Sequence, residues 1–245
     1  MKECSKSIAR RLADINFTSR YFVGNGVDIG GKPDPLGLYA ELFCKMDGVH
    51  TWDWDDGDAQ FMASLADDSV DFVHSSHCLE HLQDPSEGLR NWLRILRPGG
   101  HLVITIPDED MYEQGEFPSS FNRDHKWTFS VWKARSWSER SINVIDMLRD
   151  LGPQIDVIKV EQLISTYRFK LPRYDQTLSP VGECGIEIIM RKRTAQEVED
   201  GGNWRRTIQQ PSQELLIHLN QHRLDLQTLK QNNAGSPPFT TDSPL

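Results

Sequence analysis

The chain has 245 residues, of which 38% are hydrophobic and 26% charged, with a formal net charge of -9. That length supports one α/β domain with a sizeable core plus an appendage, and the negative balance argues against a nucleic-acid partner, because a polyanion would be repelled. No apolar run approaches the length that spans a bilayer, the first residues lack the apolar stretch of a signal peptide, and the scattered Cys4, Cys44, Cys78 and Cys184 form no C-x-x-C pair or disulfide framework, so a cytoplasmic location is expected.

The opening segment "MKECSKSIARRLADI" reads as a short amphipathic helix. Val27, Asp28 and Ile29 then form a short strand that ends in Gly30-Gly31. "PLGLYAELFCKM" is helical or partly irregular, and "GVHTWDWDDGDAQ" is extended and rich in acids. "SVDFVHSS" predicts a buried strand through Val70, Phe72 and Val73. A helix follows, with Asp84 as N-cap, Pro85 at the first helical position and Glu87 completing a capping box. Leu89, Trp92, Leu93 and Leu96 give it one apolar face. Pro98-Gly99-Gly100 ends it in a tight turn, and "HLVITIPD" is a strand rich in β-branched residues.

Residues from Glu109 to about Ser136 read as a loop dense in aromatic and charged side chains. "SERSINVIDMLRDLG" predicts a helix closed by Gly152. "IDVIKVEQLIS" and "CGIEIIMRKR" are late strands with no helix between them, which makes them an antiparallel pair. The pattern as a whole is α/β: a Rossmann-like, doubly wound and mostly parallel sheet with an antiparallel C-terminal strand. Beyond it, Leu215, Leu219, His222, Leu226 and Leu229 follow 4-3-4-3 spacing between Ser212 and Gln231. The expected organisation is a domain over 1–200, a helical extension over 201–231 and a disordered tail over 232–245. A helix this short needs a partner surface: its own domain, a second copy in a homodimer, or another protein.

Three features carry chemistry. Glycines at the carboxyl end of the first strand let a ligand approach the backbone at the edge where open α/β sheets bind. A nicotinamide fingerprint is disfavoured, because the G-x-G of Gly24-Asn25-Gly26 precedes the strand. The acidic turn holds Asp53, Asp55, Asp56 and Asp58, which suit ribose hydroxyls and an adenine amino group; it lacks the spacing of a calcium loop. "HSSHCLEHL" has the look of a metal site, with His77 and His81 at i and i+4 if a helix begins near Ser75-Ser76. His74 faces another way from its strand, Cys78 points off the His77 face, and no second ligand cluster follows. No metal is expected there.

"SVDFVHSSHCLEHLQDPSEGLRNWLRILRPGGHLVITIPD" resembles the middle of a class I S-adenosylmethionine-dependent methyltransferase, of the subgroup called methyltransferase type 11. The resemblance covers Val23 to Asp108 well and the rest of the fold loosely. It implies S-adenosyl-L-methionine as cofactor and a strand-to-helix turn beneath it that needs no metal. By position, Gly30 and Gly31 would line the amino-acid portion and Asp53, or else Asp55, the ribose. Asp58 and Ala59 would flank adenine, and Ser75, Ser76 and His77 would lie near the methionine end. Two departures stand out. Lys32-Pro33-Asp34 replaces the end of the family's longer glycine motif, and the usual helix between Asp53 and Asp58 is missing or displaced.

The family builds its acceptor pocket after this unit. There His125 sits beside Asp124 and near Trp127 and Phe129, so it is the leading catalytic base, with His81 and Tyr112 as further candidates. The same aromatic residues also suit plain packing of the loop onto the sheet. The expected reaction is methyl transfer to a hydroxyl of a small molecule or glycan, of the surface-polysaccharide type. The alternative is a non-catalytic, methyltransferase-like binding or scaffold subunit.

Overall fold

The computed structural model describes residues 3–203 and 212–234. Two compact units divide the chain, Met1–Asn203 and Trp204–Leu245. In the first, helix α1 is Glu3–Ala13, and strands β1, β2 and β3 are Gly24–Ile29, Met46–Trp52 and Val70–Ser76. Helix α2 is Pro85–Ile95, followed at once by β4, Leu96–Pro107. Short strands β5 (Thr128–Ser130) and β6 (Ser141–Asn143) lead to α3, Val144–Asp150. Strands β7 (Ile155–Gln162) and β8 (Gly185–Lys192) and helix α4 (Ala195–Asp200) complete the unit. In the second unit, α5 runs Gln213–Ala234. It passes beyond Gln231, where the expected tail begins, because no glycine or proline interrupts the sequence before residue 235. The rest of that tail lies outside the described residues. Among the described residues no helix is long and apolar enough to cross a membrane.

The main sheet has the order β2-β1-β3-β4-β8-β7. β1 pairs in parallel with β2 and β3, and β3 with β4. β8 inserts antiparallel between β4 and β7, so the expected antiparallel pair is present. Alternation along the strands separates two cores. Val27, Ile29, Val73, Leu102, Ile104, Ile188 and Met190 face α2 and α3, meeting Leu89, Trp92, Met147 and Leu148. Phe72, Val103 and Ile189 face the other way and pack on Cys4, Phe17, Tyr21, Phe22 and Phe43.

That second face also carries buried polar groups, and they hold α1 in place. The Arg11 side chain is buried. Its guanidinium donates to His74 Nε2 at 3.0 Å and Thr105 Oγ1 at 3.4 Å, and lies 3.4 Å from Glu187 Oε2. Arg10 reaches Glu187 Oε1 at 2.7 Å and Glu183 Oε1 at 2.7 Å. Because Arg11 can only donate, His74 Nε2 must accept, and the proton sits on Nδ1, which donates to Asp28 Oδ1 at 2.6 Å. Burial, reinforced by Arg11, outweighs Asp28 and lowers the His74 pKa, so the ring is neutral.

The structure corrects four local expectations. Leu96 and Pro98-Gly99-Gly100, expected on the helix face and in a tight turn, belong to β4. Residues 141–143 of the predicted helix form β6, paired in parallel with β5, and the helix begins only after Asn143, whose side chain accepts from Asp146 N. Asp84 caps α2 as expected, accepting from Glu87 N at 3.0 Å. The return arm of the capping box is taken by Gln60 instead: Asp84 N donates to Gln60 Oε1 at 2.9 Å, and Gln60 Nε2 bonds the Glu87 carboxylate. His77 and His81 do not share an α-helical face. His77 leaves β3 with φ +54°, and only a single 3-10 turn, Leu79–His81, precedes α2.

Burial would raise the Glu187 pKa, but Arg11 and Arg10 outweigh it and bring it from 4.5 to about 2. The carboxylate therefore stabilises the fold fully above pH 4.5 in the amount set by that shift, and the contribution disappears as pH falls toward 2. Urea-denaturation midpoints should drop across this window in the wild-type chain, and Glu187→Gln should lose that part of the pH dependence. Arg11→Ala, which takes the buried donor from His74 Nε2 and Thr105 Oγ1 while Arg10 still pairs Glu187, should cost about 1–3 kcal/mol at neutral pH; no measurable loss would show that the Arg11 contacts do not hold α1.

Candidate active site

Two joined cavities open where β1, β2 and β3 end. The larger, about 590 Å³, is walled by Gly30, Trp52, Asp53, Trp54, Gly57, Asp58, Ala59, Gln60, Cys78, Leu82, Gln83, Asp124 and Lys126. The smaller, about 190 Å³, is walled by Glu3, Cys4, Asp28, Gly31, Asp34 and Ser76. Gly30, Lys32, His77 and His81 line both.

The glycine turn is built for close approach. Gly30 has φ +72°, and a Cβ there would lie 2.9 Å from Cys78 Cβ. At Gly31 it would lie 2.3 Å from Asp28 Oδ2. Asp28 Oδ2 accepts from Leu36 N at 2.7 Å, which carries the chain around the turn. The segment Lys32-Pro33-Asp34 that interrupts the glycine run is tied down as well. Lys32 N donates to Asp53 Oδ2 at 3.3 Å, and Asp34 accepts from Ser5 N at 2.8 Å and Tyr39 OH at 2.6 Å.

Among the acidic residues the fold separates roles. Asp53, one residue past β2, faces the larger cavity, and its backbone N–H is held by Asp56 Oδ2 at 3.0 Å. Asp55 projects into solvent 3.6 Å from Lys32 Nζ, and Asp56 pairs with His50 at 2.9 Å. Asp58 Oδ1 accepts from Gln60 N at 2.8 Å, and Ala59 O from Trp92 Nε1 at 2.8 Å, so both cavity-lining residues sit in a turn pinned to α2. No helix stands between β2 and β3. Ser76 reaches the smaller cavity, whereas Ser75 is buried and donates to Ile29 O at 3.1 Å, a strand-to-strand tie.

Beside the cavities lies a cluster that the linear sequence conceals. Glu80 is fully buried, and neither carboxylate oxygen has a hydrogen-bond partner. Three imidazoles surround its Oε1: His77 Nδ1 at 3.5 Å, His81 Nε2 at 3.8 Å and His125 Nε2 at 3.8 Å. Burial alone would raise the Glu80 pKa, but His77, His81 and His125 bring it down from 4.5 to about 2. Burial disfavours a proton on His77, yet Glu3, 3.7 Å from its Nε2, and Glu80 prevail and raise its pKa.

His125 arrives because its loop is stitched onto the 3-10 turn. Lys126 N donates to Glu80 O at 2.9 Å, the Lys126 ammonium to His81 O, and Trp127 Nε1 to Leu82 O at 3.1 Å. Glu113 Oε1 then fixes His125 Nδ1 at 2.7 Å, while Ser119 Oγ donates to Glu113 Oε2 at 2.8 Å. His125 and Tyr112 are buried and stand behind the cavity wall, their rings 5.0 Å apart. Desolvation raises the Tyr112 pKa, which unsuits it as a base. His81 is the histidine of this loop-facing pair that reaches the cavity. Trp52, Trp54, Cys78, Gln60, Lys126 and, from α1, Glu3 are wall residues that sequence spacing does not reveal. The Trp-x-Trp flanking Asp53 was the available signal.

A mostly parallel sheet with one antiparallel inserted strand, and a glycine-floored cavity at its carboxyl edge, define the class I methyltransferase fold. Residues 39–104 match the family described as a methyltransferase domain, which supports a class I S-adenosylmethionine-dependent methyltransferase. It is 34% identical over 101 residues to a ubiquinone biosynthesis O-methyltransferase of Aeromonas salmonicida (strain A449), covering 41% of this chain and 37% of that protein. An uncharacterised 37.1 kDa protein in transposon Tn4556 of Streptomyces fradiae is 44% identical over 46 residues, 19% of this chain and 13% of that one. The chain thus spans well under half the length of these curated relatives. Among solved structures, the N-methyltransferase NodS of Bradyrhizobium japonicum WM9 superposes with a TM-score of 0.46 at 14% identity, covering 78% of this chain and 97% of that one. A SAM-dependent methyltransferase of Aquifex aeolicus gives 0.44 at 14% identity, with 78% and 89% covered.

Gln60 joins the acidic turn to the start of α2 through Asp84, Glu87 and Asn91 Nδ2, which donates to Gln60 O at 3.0 Å. Gln60→Ala should cost about 1–3 kcal/mol by leaving those side-chain partners unpaired, measured by urea denaturation. A neutral substitution would mean that the Asp84 cap alone holds this corner.

Proposed function

We propose that the protein transfers a methyl group from S-adenosylmethionine to a hydroxyl of a small molecule or glycan. The observation that carries this reading is the pair of joined cavities meeting at Gly30, Lys32, His77 and His81, with a strand-end carboxylate, Asp53, in the larger one. The residues fit the donor. Gly30 lines both cavities without a side chain, which leaves its backbone open to a ligand. Asp53 offers paired acceptors to a diol, Asp58 and Ala59 present the adenine side, and Gly31 and Ser76 lie in the smaller cavity with the acidic Glu3, Asp28 and Asp34, which suit an ammonium.

S-adenosylmethionine supplies a sulfonium methyl already activated for in-line displacement. The chain must therefore align the acceptor and draw off its proton. His81 is placed for this. It lines both cavities, and its Nδ1 is held by Asp124 Oδ2 at 2.9 Å. In this reading the acceptor oxygen would take the methyl carbon as the donor's carbon–sulfur bond gives its electron pair to sulfur, and the hydroxyl proton would pass to the cluster of His81, Glu80 and His125. Lys126, Gln83 and Asp124 give the wall polar groups, and the exposed Trp54 ring offers a flat face, a combination that favours a polyol over an apolar acceptor.

The scaffold alternative keeps one observation in its favour: Lys32-Pro33-Asp34 stands where the family carries more glycine. Calorimetry separates the two. The wild-type chain should bind S-adenosylmethionine, Asp53→Ala should weaken binding by about 1–3 kcal/mol, and Gly30→Val should abolish it while the circular-dichroism spectrum stays native. Absence of binding to the wild-type chain would leave the scaffold reading standing. With a methyl acceptor in hand, His81→Ala should lower turnover about 10²-fold or more with cofactor affinity unchanged; equal turnover would remove the cluster from the chemistry.

A further inference from the structure

The Glu80 cluster is arranged more like a ligand set than like a hydrogen-bonded network. A buried carboxylate without a partner is costly, because nothing replaces the water it has lost. Glu80 has both oxygens buried and unpartnered, and His125 Nε2 beside it is buried and unpartnered too. The gaps of 3.8 Å from Glu80 Oε1 to His81 Nε2 and to His125 Nε2 exceed hydrogen-bond length. They come within a few tenths of an ångström of the roughly 3.3–3.6 Å that separates donors sharing one tetrahedral ion at metal–ligand distances of about 2.0–2.2 Å. The donor atoms of Glu80, His81 and His125 lie within 4.8 Å of one another.

The second nitrogens point the same way. His125 Nδ1 is held by Glu113 and His81 Nδ1 by Asp124, at 2.7 Å and 2.9 Å. Each ring thus has a carboxylate behind it and turns Nε2 toward Glu80. Metal-bound histidines show this outer carboxylate because it fixes the tautomer and raises ligand basicity. Other clusters of the fold differ. Cys4, Asp28 and His74 also lie close together, but both His74 nitrogens are already engaged, by Asp28 and by Arg11.

We infer that Glu80, His81 and His125 bind a divalent transition-metal ion, with its open coordination position facing the cavity through His81. Two imidazoles and one carboxylate favour zinc, iron(II) or manganese over calcium and magnesium, which prefer oxygen donors throughout. His77 Nδ1, 3.5 Å from Glu80 Oε1, stands by as a fourth donor. The binding rests on geometry alone. Its use rests on the methyl-transfer reading: an ion at this wall would acidify an acceptor hydroxyl, whose proton would then leave to the water of the open cavity instead of to His81.

The test is metal binding by the full-length chain. Protein stripped with chelator should take up one equivalent of Zn2+ in calorimetry. Co2+ should bind at the same site with visible absorption bands and be displaced by Zn2+. Glu80→Gln, close to isosteric, and His81→Ala, at the partly exposed wall, should each weaken Zn2+ about 100-fold or more. Asp124→Asn should weaken it about 10-fold. Circular dichroism and S-adenosylmethionine binding check that each variant is folded. No saturable binding to stripped wild-type protein that still binds S-adenosylmethionine would overturn the inference and leave the transfer reading intact. Binding that persists unchanged in both Glu80→Gln and His81→Ala would overturn it equally. Zn2+ uptake by a chain that ignores S-adenosylmethionine would uphold the metal site and sink the transfer reading.

Discussion

The Arg11 guanidinium, buried on the sheet face opposite α2, is the contact on which the rest of the site depends. It spans β3, β4 and β8 through His74, Thr105 and Glu187. A buried cation is tolerated only where acceptors surround it, and here they come from three strands brought together by the sheet order. The consequences run in two directions. Through His74 the contact reaches Asp28, which holds Leu36 N and so shapes the Gly30-Gly31 turn. Through α1 it places Glu3 at the smaller cavity, 3.7 Å from His77. One buried polar chain thus sets both the floor and one wall of the candidate cofactor site.

The opposite wall is set by exchange between two loops. The 3-10 turn Leu79–His81 has too few residues to satisfy its own backbone, and the segment 124–127 supplies the missing partners. Their docking brings His125 against Glu80 and excludes water from the carboxylate. Low local dielectric makes every charge in the cluster strongly felt by its neighbours. That is why three imidazoles, a distant glutamate and an aspartate are all oriented toward or behind a single buried oxygen, while the apolar core proper lies beneath α2 and α3.

The sheet edge joins these walls because β1, β2 and β3 end together. Parallel strands place their carboxyl ends on one side, where turns can diverge and leave a crevice. The turn after β2 compensates for the missing helix with hydrogen bonds to α2. Gln60, Ala59 and Trp92 lace it down, so Asp53 and Asp58 are presented from a rigid corner.

The sequence by itself determined the elements whose signals are local. Apolar and β-branched runs announced β3, β4 and β8, Asp84-Pro85 announced α2, and Val27 to Gly31 announced a strand that ends in a glycine turn. The resemblance of "LEHL" and "LRPGG" to a methyltransferase also rests on contiguous residues. Only the tertiary structure decided what required distant partners. It chose Asp53 over Asp55 for the cavity, made Ser75 a strand tie, and moved His125 behind the wall while His81 reached it. It gave the return arm of the α2 cap to Gln60, and residues 141–143 to a strand. Above all it brought His125 to Glu80 across 44 intervening positions of sequence number, through backbone hydrogen bonds whose donors carry no side-chain signature. Spacing along a chain records neighbours on one helix or strand; convergence of donors from separate loops is settled by how those loops satisfy each other's buried polar groups.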